Sequence, residues 1–226
     1  MSTTAKKRPP QRRPDAEIAA TQQAKRRRLT WIISWAVGVI TLVVLYVVFS
    51  TSPARSTSSS GTSYDIGRPG IGKTAPAFSL TSSTGKQISL SDYRGKTVLL
   101  YFQEGLTCQP CWDQLTDLEK SAAKVKAAGI EDIVSITSDP ADLITRKTKD
   151  MGLATPVLSD RDLKVSQQYG ANQYGMMGTS RDGHSFLLVG PDGTIRWRAD
   201  YGGAPDYTMY VAVDKLLADL KTGEKS

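Results

Sequence analysis

Hydrophobic and polar positions divide this chain into four stretches, each with its own rule. Residues 1–30 are polar and basic, with prolines at 9, 10 and 14 and no apolar periodicity, the pattern of a disordered tail. From Trp31 to Phe49 the chain runs without a charge. At about 1.5 Å per residue that run spans roughly 28 Å, a bilayer's hydrocarbon thickness, so it is expected to form a transmembrane helix. Residues 50–70 are mostly Ser, Thr, Gly and Pro and are expected to form a flexible tether. From Ile71 to residue 226, short apolar runs alternate with helical patterns over the length of one ordinary domain.

Inside residues 71–226, Lys86–Leu90 and Thr97–Gln103 (TVLLYFQ) read as strands, the second a central buried one. A helix is expected after Cys108, with Trp112, Leu115, Leu118, Ala122 and Val125 on one face. Ile133–Thr137 (IVSIT) reads as another central strand. Asp139 and Pro140 are expected to open a polar helix reaching Met151, with Asp139 as N-cap and Pro140 in the first turn. Ser185–Val189 and Thr194–Asp200 read as strands joined by the turn Gly190-Pro191-Asp192-Gly193. The last helix shows Tyr210, Val213, Leu216, Leu217 and Leu220 on one stripe. The order βαβ, hairpin, helix predicts an α/β fold. It would be a thioredoxin-like three-layer α/β/α sandwich around a central mixed sheet, preceded by one transmembrane helix.

Charge sharpens the division. The net charge is +7. Residues 1–30 hold nine Lys and Arg against Asp15 and Glu17, so 9 − 2 = +7. The rest carries 29 − 9 = 20 basic and 22 − 2 = 20 acidic side chains. A neutral domain argues against a basic nucleic-acid footprint, and the excess sits on one side of the apolar run. Trp31 and Trp35 lie at one end of that run and Tyr46 towards the other, as interface anchors do. The positive-inside rule places the N-terminus in the cytoplasm and everything after Phe49 outside, making a single-pass protein of the cell membrane. A cleaved signal peptide would have a shorter apolar region and a small-x-small site. Here the run is longer and Ser50-Thr51-Ser52-Pro53 follows it, so an uncleaved anchor is expected.

Candidate chemistry is concentrated at the only two cysteines, Cys108 and Cys111. Any disulfide within the chain must join them. So short a ring removes little loop entropy from the unfolded chain, which favours a reversible redox pair over a structural staple. The pair falls where strand Thr97–Gln103 hands over to a helix. Unpaired backbone N–H groups and the positive end of the helix dipole there stabilise thiolate. Cys108 would be the exposed nucleophile, and Cys111, one turn on, would resolve the mixed disulfide. Pro110 suits the first helical turn, where its missing N–H costs no bond. Buried structural thiols and half of a zinc site are the alternatives. Zinc usually takes four ligands, and the chain has one histidine and no second cysteine pair. No metal or organic cofactor is expected beyond the redox-active disulfide.

The stretch GKTAPAFSLTSSTGKQISLSDYRGK (Gly72–Lys96), then TVLLYFQEGLTCQPCWDQL, IVSITSD, TPVLSD and FLLVGPDGTIRW, resembles the peroxiredoxin/redoxin (AhpC/TSA-like, TlpA/ResA-like) branch of the thioredoxin superfamily. Many relatives are membrane-tethered extracytoplasmic thiol–disulfide oxidoreductases. The resemblance implies Cys108 as attacking and Cys111 as resolving thiol. It also implies protein disulfides or dithiols as partners, with a membrane electron donor reaching the outer face. Thr107 stands where thioredoxins usually have Trp. Gly183 or His184 stands where many have a cis-proline facing the disulfide. With these, Pro110 and Trp112 complete the expected substrate-contacting set, although Trp112 also reads as the start of the core stripe. Glu104 is a candidate proton-transfer acid for Cys111, or else a solvated loop carboxylate. Laid on Cys111, the peroxiredoxin signature Pro-x-x-x-Thr-x-x-Cys puts its proline on Glu104 and its threonine on Cys108. The chain departs from that signature at both positions, and the overall redoxin resemblance leaves a thiol peroxidase, with Cys111 as peroxidatic thiol, as a second expectation. A third is a copper-binding chaperone of the Sco type, using Cys108, Cys111 and His184. Tyr174, Met176 and Met177 read as packed loop residues or as an apolar substrate lip.

Overall fold

Val98–Phe102 (β3) is apolar at all its positions and runs through the middle of the sheet, buried on both faces. It pairs in parallel with Asp132–Thr137 (β4) and antiparallel with Ser185–Val189 (β6). The computed structural model describes Val39, Ile40 and residues 63–224. Its contacts divide the chain into two units, Met1–Thr57 and Ser58–Ser226. In the first, Val39 and Ile40 are helical and exposed. The basic tail, the rest of the apolar run expected to cross the membrane and most of the expected tether lie outside the described residues. Among the described residues no helix is long and apolar enough to cross a membrane.

The remaining strands are Ser79–Ser82 (β1), Gln87–Ser89 (β2), Val157–Ser159 (β5) and Ile195–Asp200 (β7). The seven strands lie in the order β2-β1-β5-β4-β3-β6-β7. The centre is parallel and both flanks are antiparallel, so the mixed sheet is as expected. The hairpin β6–β7 closes through Gly193 at φ 81°, where a side chain would be strained.

Alternation along the strands sorts the core into two layers. On one face Leu99, Tyr101, Phe186 and Trp197 meet the helices Gln109–Lys120 (α1), Ala122–Ala127 (α2), Ala141–Met151 (α3) and Val213–Gly223 (α5). On the other, Leu100, Phe102, Ile136 and Leu187 meet the short helix Lys164–Gln168 (α4) and the segment around Phe78 and Leu90. The second covering layer is mostly loop. Burying each such leucine or phenylalanine contributes about 1.5–3 kcal/mol, so the central strand is the least movable part of the fold.

The structure corrects several expectations. The helix after Cys108 breaks at Ser121, whose N–H bonds back to the carbonyls of Asp117 and Glu119. Ala122 is thereby turned out to solvent. Tyr210 precedes α5 rather than joining its stripe, and is 40% exposed. The fold also begins before Ile71. Asp65 exchanges both backbone hydrogen bonds with Asp200 of β7, at 3.0 and 2.9 Å. Gly67 N–H donates to the Asp200 carboxylate at 2.7 Å. That carboxylate forms a fully buried pair with Arg198, which donates in turn to the Pro69 carbonyl. Residues 65–69 are stitched to the sheet edge, not free tether.

Candidate active site

Strand β3 ends at Phe102, and the loop from Gln103 to Thr107 carries the chain to Cys108, the N-cap of α1. Gln103 extends the ladder through its N–H to the Ile136 carbonyl (3.0 Å) and fixes its side chain on Ser135 Oγ (2.7 Å). Gly105 then turns at φ 85°. A Cβ there would lie 1.8 Å from Asp139 Oδ2 and 2.3 Å from Thr137 Oγ1, so no other residue fits. The Gly105 carbonyl accepts from Cys108 N–H (2.9 Å) and from the Trp112 indole N–H (3.0 Å). One peptide unit thus holds both the first cysteine and the large aromatic of the next turn.

Cys108 and Cys111 are joined in a disulfide. Cys108 is 7% exposed and Cys111 fully buried, so solvent meets only the first. The N–H groups of the first turn of α1 favour negative charge at Cys108. Lys147 of α3 donates to Gln109 Oε1 at 3.1 Å and lies 5.7 Å from the Trp112 ring centroid. Pro110 occupies the first helical turn, as expected. Met209, from the loop after β7, packs in one buried cluster with the cysteine pair.

Beneath the loop sits a group of acids. Asp139 Oδ2 accepts from Leu106 N–H (2.6 Å) and Thr137 Oγ1 (3.2 Å), and Oδ1 pairs with Arg181 at 2.9 Å. Pro140, not Asp139, is the N-cap of α3, because the distant Leu106 and Arg181, with the nearby Thr137, engage the carboxylate instead. Arg181 also donates to the Glu104 carbonyl (3.0 Å). Glu104 is only 4% exposed, so it is no solvated loop acid. Its Oε1 accepts from the backbone N–H groups of Met176 and Met177, clamping their loop. The two methionine side chains stand out in solvent. Asp182 is buried nearby. Burial pushes its carboxyl well above the usual range, and Asp160 and Asp139 add to that, while neither of its oxygens has a hydrogen-bond partner among the described residues.

On the opposite side of β3, the Tyr101 hydroxyl donates to the Cys111 carbonyl (3.2 Å) and lies 3.0 Å from His184 Nδ1. His184 Nε2 has no partner among the described residues. Burial pushes His184 down to about 3. His184 and Gly183 were expected at the substrate face. Instead both are buried, and a Cβ at Gly183 would lie 1.8 Å from the Tyr174 carbonyl. Thr107 and Pro110 are exposed beside Cys108. Trp112 is fully buried in the core, so it belongs to the core stripe and does not face a substrate. Among the described residues no group of three or more His, Cys, Asp or Glu side chains is arranged to hold a metal ion. The sequence reading missed Asp139, Arg181, Tyr101 and Met209.

A cysteine pair at the start of the helix that follows the central strand of a thioredoxin-like sheet defines a thioredoxin-fold oxidoreductase. Residues 71–198 match the model of the AhpC/TSA family, and the chain belongs to that family. It is similar to peroxiredoxin Bcp of Escherichia coli K12, 33% identical over 127 residues that make up 55% of this chain and 81% of that one. It is also similar to thiol-disulfide oxidoreductase ResA of Bacillus thuringiensis, 33% identical over 126 residues, 55% of this chain and 66% of that one. Among solved structures, peroxidoxin BcpB of Mycobacterium tuberculosis shares the fold, with a TM-score of 0.56 and 20% identity over 67% of this chain and 96% of that one.

Proposed function

We propose that this chain is a membrane-tethered, extracytoplasmic thiol–disulfide oxidoreductase that cycles Cys108–Cys111 between dithiol and disulfide. The observation that carries the reading is the disulfide-bonded pair at the N-terminus of α1, in which Cys108 keeps 7% exposure and Cys111 none. The Cys108 thiolate attacks a protein disulfide, forming a mixed disulfide and releasing one substrate thiolate. Cys111 then attacks Cys108 Sγ, which breaks the mixed disulfide and releases the second substrate thiol. Two electrons pass to the substrate and the Cys108–Cys111 disulfide remains, to be reduced again by a dithiol of a membrane electron donor. In this reading the cysteine pair is the sole electron carrier, with no metal or organic cofactor. The basic tail and the apolar run Trp31–Phe49 support the anchor and its orientation.

A second reading is a thiol peroxidase, favoured by the family and by relatives named peroxiredoxins. Against it, Glu104 and Cys108 stand where the peroxidase signature has proline and threonine, and the peroxidatic thiol would be the fully buried Cys111. The full chain, reduced and mixed separately with hydrogen peroxide and with a protein disulfide, decides between them by thiol alkylation over time. Fast reaction with the disulfide, and peroxide reactivity no better than a free thiol's, is the expected result. Peroxide reaction orders of magnitude faster overturns it. A membrane-impermeant maleimide on intact cells tests the location: labelling only after lysis would refute an extracytoplasmic domain.

A further inference from the structure

Cys108, Cys111 and Met209 form a buried apolar cluster of their own, separate from the two large layers of the core. Met209 is 8% exposed, close to the 7% of Cys108. It comes from the strap 202–211 that links β7 to α5. The strap backbone is pinned on both sides of Met209. Tyr207 N–H donates to the Gly203 carbonyl (2.9 Å) and Thr208 N–H to that of Tyr201 (3.1 Å). The Tyr210 hydroxyl donates to Asp117 (2.8 Å) and Val211 N–H to Gln114 Oε1 (2.7 Å). Asp117 and Gln114 both belong to α1, the helix that carries the disulfide. The strap is thus registered on the redox helix itself, while the unbranched thioether it presents keeps three rotatable bonds.

We propose that Met209 is a specificity-determining residue, a cap on the disulfide that admits thiols presented by a polypeptide and holds back small free thiols. The inference rests on the dithiol–disulfide reading above. For the disulfide to be reduced, a thiolate must approach Cys108 Sγ in line with the S–S bond. The new S–S bond forms as the old one breaks, and Cys111 leaves as thiolate. With so little of Cys108 in contact with solvent, this approach requires the methionine side chain to swing away. A small thiol that displaces it leaves apolar surface in water. A protein segment lays its own apolar atoms where the thioether was, and the exposed Tyr207 and Tyr210 on either side offer it further contact.

The test uses the full oxidised chain, with rates of Cys108–Cys111 reduction measured for glutathione and for a reduced protein dithiol. Met209→Ala is expected to raise the glutathione rate by about tenfold or more, while the protein dithiol rate changes by less than about twofold. Met209→Leu, which keeps the apolar cover, is expected to leave the ratio of the two rates as in wild type. Should the alanine variant fail to fold, Met209→Val is measured in its place. Equal acceleration with both reductants, or none with glutathione, overturns the cap. If the wild-type disulfide is reduced by neither thiol, the oxidoreductase reading falls as well; a reactive wild type with an unmoved ratio removes Met209 alone.

Discussion

Replacing Asp139 by alanine removes three contacts at once. Leu106 N–H loses the acceptor at 2.6 Å, Thr137 Oγ1 the one at 3.2 Å, and Arg181 its ion pair at 2.9 Å. An amide left unpaired in a part-buried loop costs about 1–3 kcal/mol. Breaking a fully buried ion pair costs roughly 3–5 kcal/mol, but the Arg181 side chain is 27% exposed and recovers water, so about 1 kcal/mol is the better figure. Together these give roughly 2–4 kcal/mol. With a urea slope near 2 kcal/mol/M, the unfolding midpoint should fall by about 1–2 M. Asp139→Asn keeps an oxygen for Leu106 while losing the charge, and should fall by less than half as much. Asp142→Ala breaks only an exposed pair with Arg146 at 3.6 Å and should not move the midpoint. An alanine variant within about 0.2 M of wild type would refute the reasoning. It would mean that the loop before the cysteines does not depend on this carboxylate.

Two further predictions concern pH. His184 has a folded-state value of about 3, below its ordinary 6.5, so the folded protein refuses a proton that the unfolded chain accepts. Stability is therefore lost progressively as pH falls from 6.5 towards 3. His184→Phe should flatten that loss in thermal melts between pH 7 and 4, and an unchanged slope would count against a buried neutral imidazole. Asp182 carries the opposite sign. Its folded-state value is raised, so its contribution is complete below about pH 4 and is lost as pH rises. Asp182→Asn should gain melting temperature relative to wild type from pH 4 to pH 8; a difference constant across that range would show the carboxyl to be unshifted.

Much of the fold could be read in the sequence because its central strands carry their own signal. Thr97–Gln103 and Ile133–Thr137 are largely apolar runs, and the turn residues Gly190–Gly193 mark the hairpin between two further strands. The strands Ser79–Ser82 and Val157–Ser159 are four and three residues long and exist only because a neighbour pairs with them. Helical periodicity ran on through Ser121 to Ala122, although local hydrogen bonds end the helix there. The cysteine pair was legible from its spacing, but its supports were not. Asp139 meets Leu106 and Arg181 across 33 and 42 positions of sequence, and the local N-cap rule that assigned it elsewhere was outweighed by those distant partners. Met209 has no local signal at all, since its partner cysteines lie about a hundred residues earlier.

The stitching of residues 65–69 to β7 has a mechanical consequence. Tension applied to the chain before Tyr64 meets first the buried Tyr64 ring, packed edge-on against Trp197 and Tyr201, and then the paired backbone bonds of Asp65 with Asp200 and the adjoining Gly67 contact. Strand β7 is the last strand in the sheet order, separated from β3 by β6. The load is borne at the sheet edge. The junction of β3 with α1, where the cysteines sit, lies two strands in from that edge, so a pull from the N-terminal side would detach the N-terminal segment before it disturbed the redox pair.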